Sequence, residues 1–354
     1  MELIQGVFKI RVLITGGAGM IGSHAAEYYA KKGNEVIILD NLMRSKLFGS
    51  DKKSVEYNWN YLAKYKNILR IKGDVRNEED VLKAIKGGVD AVIHTAGQPG
   101  VPSSVKIPKE DFSINAFGTL NVLECLRQNS PDAAFVYCST NKVYGENVDK
   151  IPLEEKETRY VFNGVKGVSE KMSVDHTGHT PYGASKYVGD LYTQEYAKIY
   201  GMKTVCFRMS CIYGRRQFGF EDQGWVAWFV IASLLNKPIN IFGNGKQVRD
   251  MLFADDVVKA YDLFIKSRLK HEVFNIGGGP ENTISLLEFL NILKEKTGKE
   301  MNITFKDWRP SDQKVYISDI SKVKEKLCWE PKISVRQGIQ ILMDWADKNK
   351  DLFK

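Results

Sequence analysis

The stretch Val12-Leu13-Ile14-Thr15-Gly16-Gly17-Ala18-Gly19-Met20-Ile21-Gly22 constrains the fold more than any other part of this chain. The apolar run Ile10 to Ile14 predicts a buried strand, and a helical pattern follows from His24 to Lys32. The glycines between them have separate tasks. Gly16 permits a tight turn, Gly19 lets backbone approach a diphosphate, and Gly22 lets helix and strand pack closely. Met20 and Ile21 belong to the turn into the helix, whose free N–H groups favour phosphate. A second strand, Glu35 to Leu39, ends at Asp40, where a carboxylate can bind a ribose hydroxyl. Together these features predict a dinucleotide site.

The 354 residues suffice for one large or two modest domains. No apolar run reaches the length of a membrane span, and Met1 to Gln5 lacks the pattern of a secretory leader, so a cytoplasmic protein without a membrane partner is expected. The five cysteines (125, 138, 206, 211, 328) form no C-x-x-C pair and no cluster with histidine, which predicts reduced thiols and no metal site. The net charge of +8 comes from scattered lysines without an arginine-rich, aromatic-interleaved run. That pattern suits a solvated surface or a small anionic ligand, not nucleic acid.

Asn41 and Arg44 extend the nucleotide theme. The charge on Asp40 would repel a 2′-phosphate and favours NAD, while Arg44 could reach such a phosphate and keeps NADP open. A third strand, Leu69 to Lys72, ends in Gly73-Asp74-Val75-Arg76. Asp74 could accept from an adenine amino group or cap the helix that starts at Glu78. A fourth strand, Asp90 to His94, runs into Thr95-Ala96-Gly97-Gln98, small enough to admit a cofactor, and His94 reads as a packed strand-end side chain. A helix from about Phe112 to Arg127 carries Asn115, a further cofactor candidate, near its start.

The fifth strand, Ala134 to Cys138, leads into Ser139-Thr140-Asn141-Lys142-Val143-Tyr144-Gly145. In a doubly wound sheet such a strand end lies in the ligand crevice. Later, Pro181-Tyr182-Gly183-Ala184-Ser185-Lys186 opens a helix, and the Tyr182–Lys186 spacing puts both on one face. An ammonium beside a phenol is expected to lower its pKa. With the Thr140 hydroxyl holding substrate, this trio can take a proton from an alcohol while a nicotinamide takes the hydride. The polar stretch 146 to 180 is long enough for a lid, and its histidines, His176 and His179, have no evident partner. After a sixth strand, Thr204 to Arg208, comes Ser210. Composition then shifts to the arginines, amides and aromatics of Arg215 to Trp225, a mixture suited to a nucleotide sugar, with Arg216, Gln217 and Gln223 as contacts. Arg249 and Arg309 could clamp a diphosphate through forked hydrogen bonds. Another buried strand, Val273 to Ile276, and helices near 285–296 and 334–347 complete the pattern.

T-G-x-x-G-x-x-G at 15–22, S-T-x-x-V-Y-G at 139–145, Y-x-x-x-K at 182–186, R-D at 249–250 and R-P-x-D-Q at 309–313 resemble the extended short-chain dehydrogenase/reductase family of nucleotide-sugar enzymes over nearly the whole chain. The resemblance implies an α/β fold: a Rossmann doubly wound parallel sheet with a smaller mixed α/β domain. It places the NAD-binding domain at 1–214, with returning segments at about 252–277, and the nucleotide-sugar domain at 215–251 and 278–354. It implies tightly held NAD, catalysis by Thr140, Tyr182 and Lys186, and a homo-dimer or homo-tetramer paired through helices 112–127 and 182–200. Ser139–Gly145, Glu157–Tyr160, Asp222–Val226, Gly243–Asp250 and Ser210 are further similar to the subgroup that inverts C2 of CDP-linked hexoses. The family's 4,6-dehydratases carry Asp-Glu after the threonine, where Asn141 and Lys142 stand here, which favours oxidation and re-reduction at one carbon. Two alternatives stay open: a C4 epimerase of UDP-sugars, and a non-catalytic NAD-sensing or RNA-binding relative.

Overall fold

The computed structural model describes residues 9–44, 47, 53–309 and 311–353. The leader reading of Met1 to Gln5, the outer ends of both expected domains (1–8 and 354) and Pro310 of R-P-x-D-Q lie outside them. One parallel sheet holds seven strands: β1 (Arg11–Thr15), β2 (Glu35–Asp40), β3 (Ile68–Lys72), β4 (Ala91–His94), β5 (Ala134–Thr140), β6 (Thr204–Met209) and β7 (His271–Ile276). They lie in the order 3-2-1-4-5-6-7. The order reverses between β1 and β4, which opens a crevice at the carboxyl ends of the strands. Thr15 pairs with both Leu39 and His94, and Thr140 with Met209, so the strand ends singled out above share one rim.

Side-chain alternation sends Val12 and Ile14 to one face of the sheet and Leu13 to the other; β2 does the same with Ile38 and Ile37. Helices cover both faces, so these strands read as unbroken apolar runs. Helices Met20–Lys31 and Ala254–Lys266 pack together on one side, and Glu78–Ile85 with Gly118–Asn129 on the other. This is a Rossmann-type α/β fold with a smaller mixed α/β region.

Several boundaries differ from the expected ones. The first helix begins at Met20, before the periodicity starts, because Gly22 is part of it: a Cβ there would lie 2.2 Å from the Gly16 carbonyl oxygen. β5 runs on through Ser139 to Thr140, since both pair with β6. The helix expected from Phe112 to Arg127 is three segments: Pro108–Phe112, a π turn at Ser113–Phe117 and Gly118–Asn129. The polar stretch after β5 contains a short hairpin, Leu153–Glu155 against Tyr160–Phe162.

In the smaller region, strand Val248–Phe253 pairs with Cys211–Tyr213, Thr283–Ser285 and Val315–Tyr316. Its core gathers Phe229, Phe253, Phe289 and Leu342. Helices Leu286–Thr297 and Val335–Lys348 each start at a capping box, Ser285 with Glu288 and Ser334 with Gln337. Among the described residues no helix is long and apolar enough to cross a membrane.

Candidate active site

A cleft with about 1210 Å³ of empty space opens at the rim of β1 to β4. Gly16, Gly19, Met20 and Ile21 line it, with Asp40 and Asn41 at the end of β2, Asp74 and Val75 after β3, and Ala96 and Gly97 after β4. Gly16 has φ +69°, and a Cβ there would lie 2.7 Å from Ala96 N, so only glycine fits the turn. Asp40 accepts from Ala18 N at 2.9 Å and Leu42 N at 2.8 Å, while burial pushes its carboxyl up. Each of its oxygens keeps acceptor capacity for a ribose hydroxyl. Burial would also raise Asp74, but hydrogen bonds from Arg76 and Asn41 hold it below its ordinary value. Its helix-capping alternative falls to Asn77, which accepts from Glu79 N at 2.9 Å. Glycine cradle and acidic strand end both fit a dinucleotide.

Gln98 and Asn115 do not serve this cleft directly. Asn115 accepts from Gln98 N at 2.8 Å and donates to Asp111 and Ser185; the Gln98 amide bonds Gly100 and Asp111. Both are fully buried and bind the loop after β4 to the π turn and to helix Thr180–Tyr200, because a buried loop needs polar partners. Arg44 does not wait for a 2′-phosphate either. It crosses to the opposite wall, donating to Phe218 O at 2.9 Å and Gln223 Oε1 at 2.6 Å, and burial lowers its pKa to about 10. Arg216, Gln217 and Gln223, expected on the sugar side, line this cleft instead. The chain doubles back after Tyr213, and Asn58 pins it by donating to both Ala18 O and Arg216 O.

Thr140 ends β5, where its hydroxyl acts to lower the pKa of the Tyr182 phenol. Tyr182 and Lys186 lie on helix Thr180–Tyr200, whose start is held by Tyr182 N donating to Ser104 Oγ at 3.1 Å. The Lys186 ammonium lies 4.3 Å from the centre of the Tyr137 ring. Burial pushes Tyr182 up to about 12 and Lys186 down to about 8. The expected lowering of the phenol is therefore not found in the protein alone: desolvation outweighs the hydrogen bond from Thr140. Behind the trio, Asp190 accepts from Ser139 Oγ at 2.6 Å and from Arg208 at 3.0 and 3.1 Å, all buried. His94 bridges Thr15 and Thr119 at 2.8 and 3.0 Å; burial lowers its pKa to about 3 and keeps it neutral, the packed role expected.

On the far side, Asn141 accepts from Thr140 at 3.3 Å. Lys142 donates to Ser311 O at 3.3 Å and Gln313 Oε1 at 3.2 Å, and burial together with the nearby Arg249 lowers its pKa to about 8. Arg249 pairs with Asp312 and Arg309 with Asp222, each at 2.7 Å. The Ser210 hydroxyl is taken up by the buried Asp250, which also accepts from Gly279 N and Ser318 N, so it ties strands together. Sequence reasoning assigns no role to Asp190, whose one signal is its helical spacing from Lys186, and it offers Asp312 and Gln313 only as letters of R-P-x-D-Q, without a role of their own. Among the described residues no group of histidine, cysteine or carboxylate side chains could hold a metal ion.

The sequence matches the NAD dependent epimerase/dehydratase family over residues 12–277. It is 40% identical to CDP-paratose 2-epimerase of Salmonella typhi over 346 residues, 95% of this chain and 99% of that one. The structure of UDP-glucose 4-epimerase from Thermotoga maritima with UDP-glucose superposes with a TM-score of 0.81 at 31% identity, covering 96% of this chain and 100% of that one. UDP-glucuronic acid 4-epimerase from Bacillus cereus, in complex with UDP-glucuronic acid and NAD, gives 0.81 at 26% identity, with 96% and 100% covered.

Proposed function

This chain belongs to the NAD dependent epimerase/dehydratase family, and we propose that it inverts C2 of a CDP-linked hexose, of the CDP-paratose to CDP-tyvelose type. It is an NAD-dependent enzyme, and its substrate class is a nucleotide sugar. One observation carries the reaction type: directly after Thr140, where the family's 4,6-dehydratases carry Asp-Glu, stand Asn141 and Lys142, an amide and a cation. The 40% identical relative supports C2 and cytidine.

Bound NAD would supply the acceptor, and then the donor, of the hydride at the sugar carbon. Tyr182 takes the C2 hydroxyl proton, with Thr140 hydrogen-bonded to the same oxygen to orient it. Lys186 favours the phenolate by its charge. Loss of proton and hydride leaves a 2-keto sugar; after it turns over, Tyr182 returns the proton and no net oxidation occurs. Lys142 and Arg249 hold the diphosphate from the β5 side and Arg309 from the other. Residues 1–214, with 252–277, carry most of the cofactor site, to which Arg216, Gln217 and Gln223 of the smaller region add one wall, and 215–251 with 278–354 supply Arg249 and Arg309 to the sugar site. The exposed Phe112, Phe117, Leu191 and Tyr192 support pairing into a homo-oligomer through their helices.

The second reading, C4 inversion of a UDP-sugar, is favoured by the two superposed 4-epimerases and would use the same trio. Purified protein without added NAD, incubated with CDP-glucose, CDP-paratose and UDP-glucose and followed by NMR at each ring carbon, separates them. C2 inversion of a CDP-sugar is expected. C4 inversion of UDP-glucose alone replaces the first reading with the second.

A further inference from the structure

We infer that Arg216 binds the diphosphate of the dinucleotide cofactor and retains it through the catalytic cycle; this rests on the NAD dependence of the family and not on the identity of the sugar. Arg216 is 3% exposed and lines the same cleft as Gly19, Met20 and Ile21. Its guanidinium is held on three sides. Nη1 pairs with Glu27 Oε2 at 2.9 Å, Nε donates to Ser23 Oγ at 3.4 Å, and the Tyr61 ring lies 4.5 Å from its central carbon. Nη2 is buried and meets no partner. A buried charged donor without an acceptor is unfavourable, and an anion in the cleft relieves it.

Two further observations show that the placement is enforced. Arg216 has φ +60°, a sparsely populated conformation that an arginine keeps only where its surroundings hold it. Glu27, which fixes one edge of the fork, is itself held by Lys31, Tyr61 and Tyr65. The helix N-terminus offers a diphosphate only partial charge; Arg216 adds a full one. An enzyme that removes a hydride and returns it to the same sugar gains from a cofactor that does not leave between the two steps.

Wild type and Arg216→Gln are stripped of NAD and titrated calorimetrically with NAD, adenosine and CDP. The Kd for NAD should rise at least tenfold, with those for adenosine (which lacks the diphosphate) and CDP unchanged. Unchanged NAD affinity overturns the proposal, as does a loss confined to CDP. Because Arg216→Gln takes the buried guanidinium from Glu27 Oε2, the double variant Arg216→Gln/Glu27→Gln supplies a neutral pair and should show the same selective loss at wild-type Tm; normal NAD binding by that variant overturns the proposal. No sugar enters the assay, so failure of C2 inversion leaves the result standing.

Discussion

Arg249 donates to Asp312 at 2.7 Å, so the arginine proposed to meet a substrate diphosphate already holds a carboxylate. Binding then exchanges one anion for another. Arg249→Met should weaken CDP binding at least tenfold, whereas Asp312→Asn, which removes the competing charge, should tighten it a few-fold. Calorimetric titration with CDP checks both. Equal weakening by both substitutions would show that Asp312 orients Arg249 instead of competing for it.

Tyr182→Phe removes the proposed proton acceptor and leaves the ring in place. Turnover should fall by about 10³-fold or more while NAD content stays at the wild-type level. The readouts are product formation by NMR and NAD released on denaturation. Near-normal activity would remove Tyr182 from the role of base.

Lys186 links the site to stability. Its pKa falls from 10.5 to about 8 on burial. Between those values the unfolded chain binds the proton and the folded chain does not, so this group makes stability rise with pH across that window. Below pH 8 the folded state carries the full penalty, roughly 3 kcal/mol at 1.36 kcal/mol per unit. Lys186→Met should therefore be inactive yet more stable than wild type at pH 7, with the advantage shrinking toward pH 10. Urea unfolding at both pH values measures it, and a less stable variant at pH 7 contradicts it.

Asp190 and Arg208 form a buried pair behind the trio, at 3.0 Å. Asp190→Asn leaves a buried guanidinium uncompensated and should lower unfolding free energy by about 3 kcal/mol. The apolar pair Asp190→Leu/Arg208→Met should recover most of that. Chemical denaturation of the two variants separates loss of charge balance from loss of packing.

Gly22→Ala should destabilise the protein by about 2 kcal/mol or more, since the new methyl would press on the Gly16 carbonyl. Thermal unfolding and NAD content should fall together, because the same carbonyl shapes the phosphate turn. A soluble variant with unchanged Tm would show that the helix can shift outward.

Much of the cofactor half is legible in the sequence because local chemistry dictates it. Strands buried on both faces read as apolar runs, and Gly16 and Gly22 stand where no side chain fits. Thr140, Tyr182 and Lys186 are placed by a strand end and one helical turn. Elsewhere the long-range path of the chain decides. Arg216 and Gln217 follow a strand of the smaller region, but Asn58 draws them under the first helix, a contact that spacing cannot reveal. Gln98 and Asn115 show the converse: both occur where a cofactor contact is expected, and the demand of a buried loop for hydrogen bonds takes their amides. The acidity of Tyr182 was also out of reach, because it depends on desolvation and not on the neighbour four residues away.

The return of β7 to the sheet has a consequence for biosynthesis. β6 keeps an unpaired edge until residues 271–276 leave the ribosome, and the whole smaller-region segment around Trp225–Leu235 is translated in between. An open edge strand is a template for pairing with other chains. The nascent cofactor half thus remains exposed to aggregation while much of its neighbour is being made, and no cut at 214 could release it as a self-contained unit. Fusion, gene splitting and domain exchange within this architecture have to carry the returning strand with them.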